Sequence, residues 1–229
     1  MAMNESKHFG LVGGLGVGAT VLYYEAIAAA CASRNIVPRL TMANAHAPTA
    51  LALVQAGRVS DLASYLAGFV RELAAAGAGF FAIPAITPHI CLADLKRHVT
   101  LPIVDLLEVT AQRLRDQRLS RIALLGTRFT IDSNLFGALG SFDLVRPADA
   151  EVDEIHRIYL GLATQGRITA DDEAKLRELA NTLCRRDRVE AIVLAGTDLN
   201  LVFNEANAGF PAVDCAAAHI DAIVAQMAA

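Results

Sequence analysis

A chain of 229 residues, 54% hydrophobic and 19% charged, has apolar material for one large domain or two lobes, which excludes a disordered protein. A net charge of −4, a pI near 5.8 and the absence of Trp leave neither the basic field nor the stacking platforms of a polynucleotide-binding protein. Mean hydropathy is +0.40, but the longest apolar run, 74–86, is broken by Gly77, Gly79 and Pro84, and residues 1–8 lack the apolar centre of a signal peptide; no membrane association is expected, and the cytoplasm is the default compartment.

In chain order, 9–13 reads as a strand, 19–33 as an Ala-rich helix and 40–44 as a second strand. Leu62, Leu66, Phe69, Val70 and Leu73 recur at helical spacing, which predicts an amphipathic helix over 60–76 with Ser60 as its N-cap. Residues 80–83 form a third strand ended by Pro84, and 102–105 a fourth. The second half repeats the rhythm: a strand over 121–125 ending at Gly126, a short helix capped by Thr130, a strand over 142–145, helices over 151–164 and 169–186, strands over 191–194 and 212–214, and a helix from Ala216. Such alternation calls for parallel sheets covered by helices, an α/β fold. The runs Ile122-Ala-Leu-Leu and Ile192-Val-Leu-Ala suit strands buried on both faces. Strand ends at Gly13 and Ala85 lie 72 residues apart and those at Gly126 and Gly196 lie 70 apart, which suggests two copies of one α/β unit.

Four strand-end segments can carry chemistry. In 13–19, glycines let backbone amides approach an anion at a helix N-terminus. Gly14, Gly16 and Ala19 fit a dinucleotide fingerprint, but the next strand end, Asn44-Ala-His46, has no acidic residue to hold a ribose; a carboxylate- or phosphate-sized anion fits, as does a turn that simply needs glycine. Thr87 and His89 offer a hydroxyl and a titratable ring, or Thr87 caps a helix with Pro88 in its first turn. Thr197 and Asp198 face a ligand or cap a helix. Thr127 and Thr130 can donate to an anion, and Arg128 either pairs with a carboxylate or is a solvated charge. Cys31, Cys91, Cys184 and Cys215 are widely spaced, which suits reduced thiols and excludes a metal site of clustered cysteines or a disulfide scaffold.

Together these segments resemble the aspartate/glutamate (and hydantoin) racemase superfamily. Gly13-Gly14-Leu15-Gly16 is similar to its glycine loop, 84–89 to its motif Pro-Cys-Asn-Thr-Ala-His, 194–198 to Leu-Gly-Cys-Thr-Glu, Gly126-Thr127 with Thr130 to its middle loop, and Val213-Asp214 with His219 to its C-terminal signature. The resemblance implies two flavodoxin-like three-layer αβα lobes, 1–106 plus 209–229 and 107–208, with parallel sheets related by a pseudo-twofold and the active site in the cleft between them. It implies racemisation with no cofactor or metal, by two thiols on opposite faces of a small amino or carboxylic acid, in a protein that is often a homodimer. Ala85 and Gly196 stand at the positions of those two cysteines, and Ile86 replaces the Asn. A substrate frame of Gly14, Leu15, Gly16, Asn44, Thr87, Thr127, Thr130 and Thr197 is implied, with His89, Asp198, His46 and Cys215 as candidate acid/base groups. No Arg lies between Arg39 and Arg58, which points away from an acidic side chain on the substrate. Three outcomes stay open: a racemase or epimerase without the two-thiol mechanism, lyase or hydrolase chemistry on a small acid, or binding without chemistry.

Overall fold

The short apolar runs become the centres of parallel sheets in a computed structural model that describes residues 4–229. β1 (Asn4–Glu5) pairs with β3 (Ile36–Val37) in a small parallel ladder. β2 (Phe9–Gly13) is buried at every residue and lies between β4 (Leu40–Asn44) and β5 (Phe80–Ala82), parallel to both. The expected fourth strand reduces to one bridge, Phe81 with Ile103. Pro102 has no amide to donate, so the contact is limited to Phe81 N to Pro102 O and Val104 N to Phe81 O, each 2.9 Å.

α1 (Val17–Ser33), α2 (Ala47–Gln55), α3 (Val59–Ala75) and α4 (Leu92–His98) connect and cover these strands. On α3 four residues of the predicted stripe, Leu62, Leu66, Val70 and Leu73, are buried, each contributing about 1.5–3 kcal/mol relative to exposure, while Phe69 is half-buried at its edge. Its N-cap is Arg58 rather than Ser60, with no side-chain cap, and α2 is a helix that periodicity did not announce. Tyr23 on α1 donates to His219 Nδ1 (3.0 Å), and His219 Nε2–H donates to Val104 O (2.9 Å). This buried chain ties the C-terminal helix to the first unit and fixes the imidazole tautomer.

After α5 (Leu106–Asp116), the second unit places β6 (Arg121–Gly126) between β7 (Asp143–Leu144) and β8 (Ala191–Ala195), with β9 (Ala212–Asp214) beyond β8, all parallel. In chain order this is second, first, third, fourth, the winding that β4, β2, β5 and the residue-103 bridge follow in the first unit. The short helix α6 (Arg128–Asp132) and the long helices α7 (Asp149–Gln165) and α8 (Ala170–Asp187) cover the sheet. α6 is capped by Thr127, whose hydroxyl accepts from Thr130 N; Thr130 lies inside the helix. The chain divides at Leu106/Leu107 and returns to the first unit at His219, within α9 (Cys215–Ala228). The return comes ten residues later than the expected 209 because β9 pairs with β8 and belongs to the second sheet. No helix among the described residues is long and apolar enough to cross a membrane.

Candidate functional site

Parallel strands bring their carboxyl ends to one edge of each sheet, and the predicted residues collect there. In the first unit, register pairs Gly13 with Asn44, which sets Gly14 beside the Asn44 side chain. Gly14 has φ +80°, and a Cβ there would lie 2.1 Å from Ala45 O, so this turn requires glycine. Its amide donates to Thr20 Oγ1 (3.1 Å), and that hydroxyl donates to Gly16 O (2.7 Å). The Gly14 amide is therefore spent on the turn rather than aimed at an anion. Gly16 is the N-cap of α1, whose first turn holds no acidic residue and no side-chain cap; Leu15 is half-buried beside it. Asn44 is exposed, and its Nδ2 donates to Ala45 O (3.2 Å). His46 precedes α2, is exposed, and bonds Thr49 Oγ1 through Nδ1 (2.9 Å).

Ala85 follows β5 and is buried. Thr87 is not a cap: the 3₁₀ helix Thr87–Cys91 has Ile86 at its N-cap, and Pro88 sits in the first turn. His89 Nδ1 donates to Ala85 O (2.8 Å). A carbonyl can only accept, so the neutral ring carries its proton on Nδ1 and leaves a lone pair on Nε2. That nitrogen is buried and has no hydrogen-bond partner among the described residues. Burial, ahead of the opposing pull of Asp105, holds the imidazole below its ordinary range and therefore neutral.

In the second unit, β6 and β8 set Gly126 against Ala195, so close that a Cβ on Gly126 would lie 2.4 Å from Ala195 O. The loops after them are neighbours. Thr127 and Thr130 hydroxyls bond each other (2.8 Å), and Arg128 is drawn to Asp153, with Asp132 and Asp149 within 4.0 Å; it is engaged with this chain's own carboxylates. Gly196 is the N-cap of the 3₁₀ helix Thr197–Leu201, so Asp198 does not hold the capping position; Thr197 and Asp198 are both buried. Cys215 opens α9 with its sulfur beneath this loop: Sγ donates to Leu194 O (2.8 Å) and interacts with the Gly196 amide. Burial first, then the charge of Asp214, pushes the thiol well above its ordinary range. A fully buried, protonated thiol is a poor base, which counts against the role considered for Cys215.

Two further groups reach this edge from α7, neither singled out by the sequence. His156 Nδ1 accepts from Arg128 N (3.2 Å), and Tyr159 donates its phenol proton to Asp198 Oδ2 (3.2 Å). They stand three residues apart, flanking the buried stripe of Val152, Ile155, Ile158 and Leu162. That spacing was the available signal. Among the described residues no group of three or more His, Cys, Asp or Glu is placed to hold a metal.

A sequence model of the Asp/Glu/hydantoin racemase family matches residues 12–223. The fold is similar to that of a Yersinia pestis protein assigned as an Asp/Glu racemase (TM-score 0.85, 22% identity, 97% of this chain and 100% of that one). It is similar to an aspartate racemase homologue from Pyrococcus horikoshii (TM-score 0.82, 22% identity, 97% and 100%) and to glutamate racemase from Thermus thermophilus in complex with β-chloro-D-alanine (TM-score 0.65, 19% identity, 98% and 82%). At these identities the structural likeness bears on the fold.

Proposed function

The chain belongs to the Asp/Glu/hydantoin racemase family, and from that premise we propose that it binds a small amino or carboxylic acid and performs isomerase-type proton transfer at its α-carbon without a pair of thiols. The observation that carries this reading is the state of the two strand ends. Ala85 and Gly196, where the family's motifs place cysteine, have no proton to move, and no thiol substitutes for them: Cys31, Cys91 and Cys215 are buried, and Cys184 lies on α8. Burial pushes Cys91 up to about 12, and its Sγ donates to Pro88 O. His89, neutral and with an uncommitted Nε2, is the proton acceptor of the first unit. The uncapped first turn of α1 and the hydroxyl of Thr87 suit a carboxylate.

The stretch 40–57 holds no Lys or Arg, so a second carboxylate on the substrate has no cation there. Amino acids with uncharged side chains should therefore bind better than aspartate or glutamate. Thermal shift with both enantiomers of alanine, serine, methionine, phenylalanine, aspartate and glutamate tests this. A ligand at 100 times its Kd adds about 2.7 kcal/mol, roughly 5–10 °C in a chain this size. Aspartate or glutamate as the best stabiliser would overturn the specificity, and no stabilisation by any of the twelve would overturn the site.

A further inference from the structure

Gly196 has φ −169°, extended backbone open to any residue, so its lack of a side chain is not a conformational requirement. The reason is space. A Cβ at 196 would lie 2.2 Å from Tyr159 Cε2, 2.7 Å from its Cζ and 2.8 Å from its Oη. The edge of the phenol thus stands where a side chain of residue 196 would begin. An apolar ring would fill that space equally well, yet here the hydroxyl is directed at Asp198, a carboxylate only 6% exposed. Burying a carboxylate beside a phenol is costly for a purely structural filler. The neighbouring Cys215 thiol is committed to Leu194 O, which leaves the phenol and the carboxylate as the pair at this loop able to pass a proton.

We propose that Tyr159 and Asp198 form the proton relay of the second unit, with the phenol standing in for the side chain that Gly196 lacks. The inference rests on the reading of this chain as a protein that acts on a small acid. In the forward step the substrate's Cα–H bond breaks and its proton forms a new O–H bond at Tyr159 Oη, while the phenol's own proton passes to Asp198 Oδ2. The C–H electron pair remains on the substrate, delocalised into its carboxylate as an enediolate. The reverse step returns a proton from Asp198 through Oη to carbon. No phenolate is formed at any point. That matters because burial, then the charge of Asp198, raises the phenol well above its ordinary range, and a free phenolate base would be scarce at neutral pH. As a relay the phenol only exchanges one proton for another, and Asp198 is the net base.

The test is α-hydrogen exchange in deuterium oxide, followed by NMR, with the same twelve amino acids, for the wild type, Tyr159→Phe and Asp198→Asn. Tyr159→Phe keeps the ring in its place over Gly196 and removes only the hydroxyl. The expected result is exchange by the wild type, a loss of about 10²–10⁴-fold in each variant, and an unchanged ligand-induced thermal shift in Tyr159→Phe. Exchange by Tyr159→Phe at the wild-type rate overturns the relay. Thermal stabilisation of the wild type by an amino acid that it does not exchange also overturns the relay, while leaving the binding reading intact. Absence of both stabilisation and exchange overturns the binding reading, and the relay with it.

Discussion

Replacing Gly196 by alanine sets a methyl group against the Tyr159 ring at 2.2–2.8 Å, well inside the ~3.5–4.0 Å at which carbon atoms rest in contact. The backbone accepts alanine without strain at φ −169°, so the whole cost lies in the collision. Overpacking of this kind costs about 1–3 kcal/mol. The ring can yield only by leaving Asp198, and losing that 3.2 Å hydrogen bond to a buried carboxylate adds about 1.5–3 kcal/mol. The expected destabilisation is about 2.5–6 kcal/mol, a fall in Tm on the order of 10 °C at ~2–4 °C per kcal/mol for a chain of this size. The collision disappears when the ring is removed, so Gly196→Ala in a Tyr159→Ala background should cost under about 0.5 kcal/mol. Thermal unfolding of the four proteins by circular dichroism closes the double-mutant cycle. A Tm within 2 °C of wild type for Gly196→Ala, or an equal cost in both backgrounds, would refute the close packing on which the relay depends.

The buried imidazoles make stability pH-dependent. Burial depresses His219 to about 3 and lowers His89, whereas an unfolded histidine titrates near 6.5. The unfolded chain therefore takes up protons first as the pH falls: this stability is intact above about 6.5 and is lost as the pH drops below it, for His219 toward about 3 by up to ~1.4 kcal/mol per pH unit, with His89 acting in the same direction. His219→Gln should flatten the dependence of Tm on pH between 6.5 and 4.5, and an unchanged slope would show that the ring is not buried neutral. For the thiols, iodoacetamide should modify half-buried Cys184 at least tenfold faster than Cys215 in the folded protein; equal rates by peptide mass spectrometry would mean that Cys215 is open.

Much of the architecture was legible because its signals are local. The stripe on α3 follows from five apolar residues at helical spacing, and β6 and β8 from unbroken apolar runs; both depend only on neighbours in the chain. The strand ends at or next to Gly13, Gly126 and Gly196 could be placed for the same reason, whereas β5 stops at Ala82, three residues before Ala85. Helix caps could not, because Thr127 and Thr130 are equally good cap residues, and the folded chain starts the helix at Arg128 with Thr127 extended before it. The reach of the second unit to 218 followed from β9 adding to β8, a pairing between segments about twenty residues apart.

The chemistry of the site divides along the same line. The order of the motifs sufficed to place this chain in the Asp/Glu/hydantoin racemase family, and the sequence itself puts Ala and Gly, which have no ionisable side chain, at 85 and 196. That Cys215 is sealed beneath the Gly196 loop, that Arg128 is held by Asp153, and that Tyr159 covers Gly196 while bonding Asp198 39 residues away were decided by tertiary packing. A tyrosine beside a helical stripe carries no mark of the distant loop that it meets. Its partner is chosen by how α7 lies on the sheet, and that is a property of the folded unit rather than of any stretch of the chain.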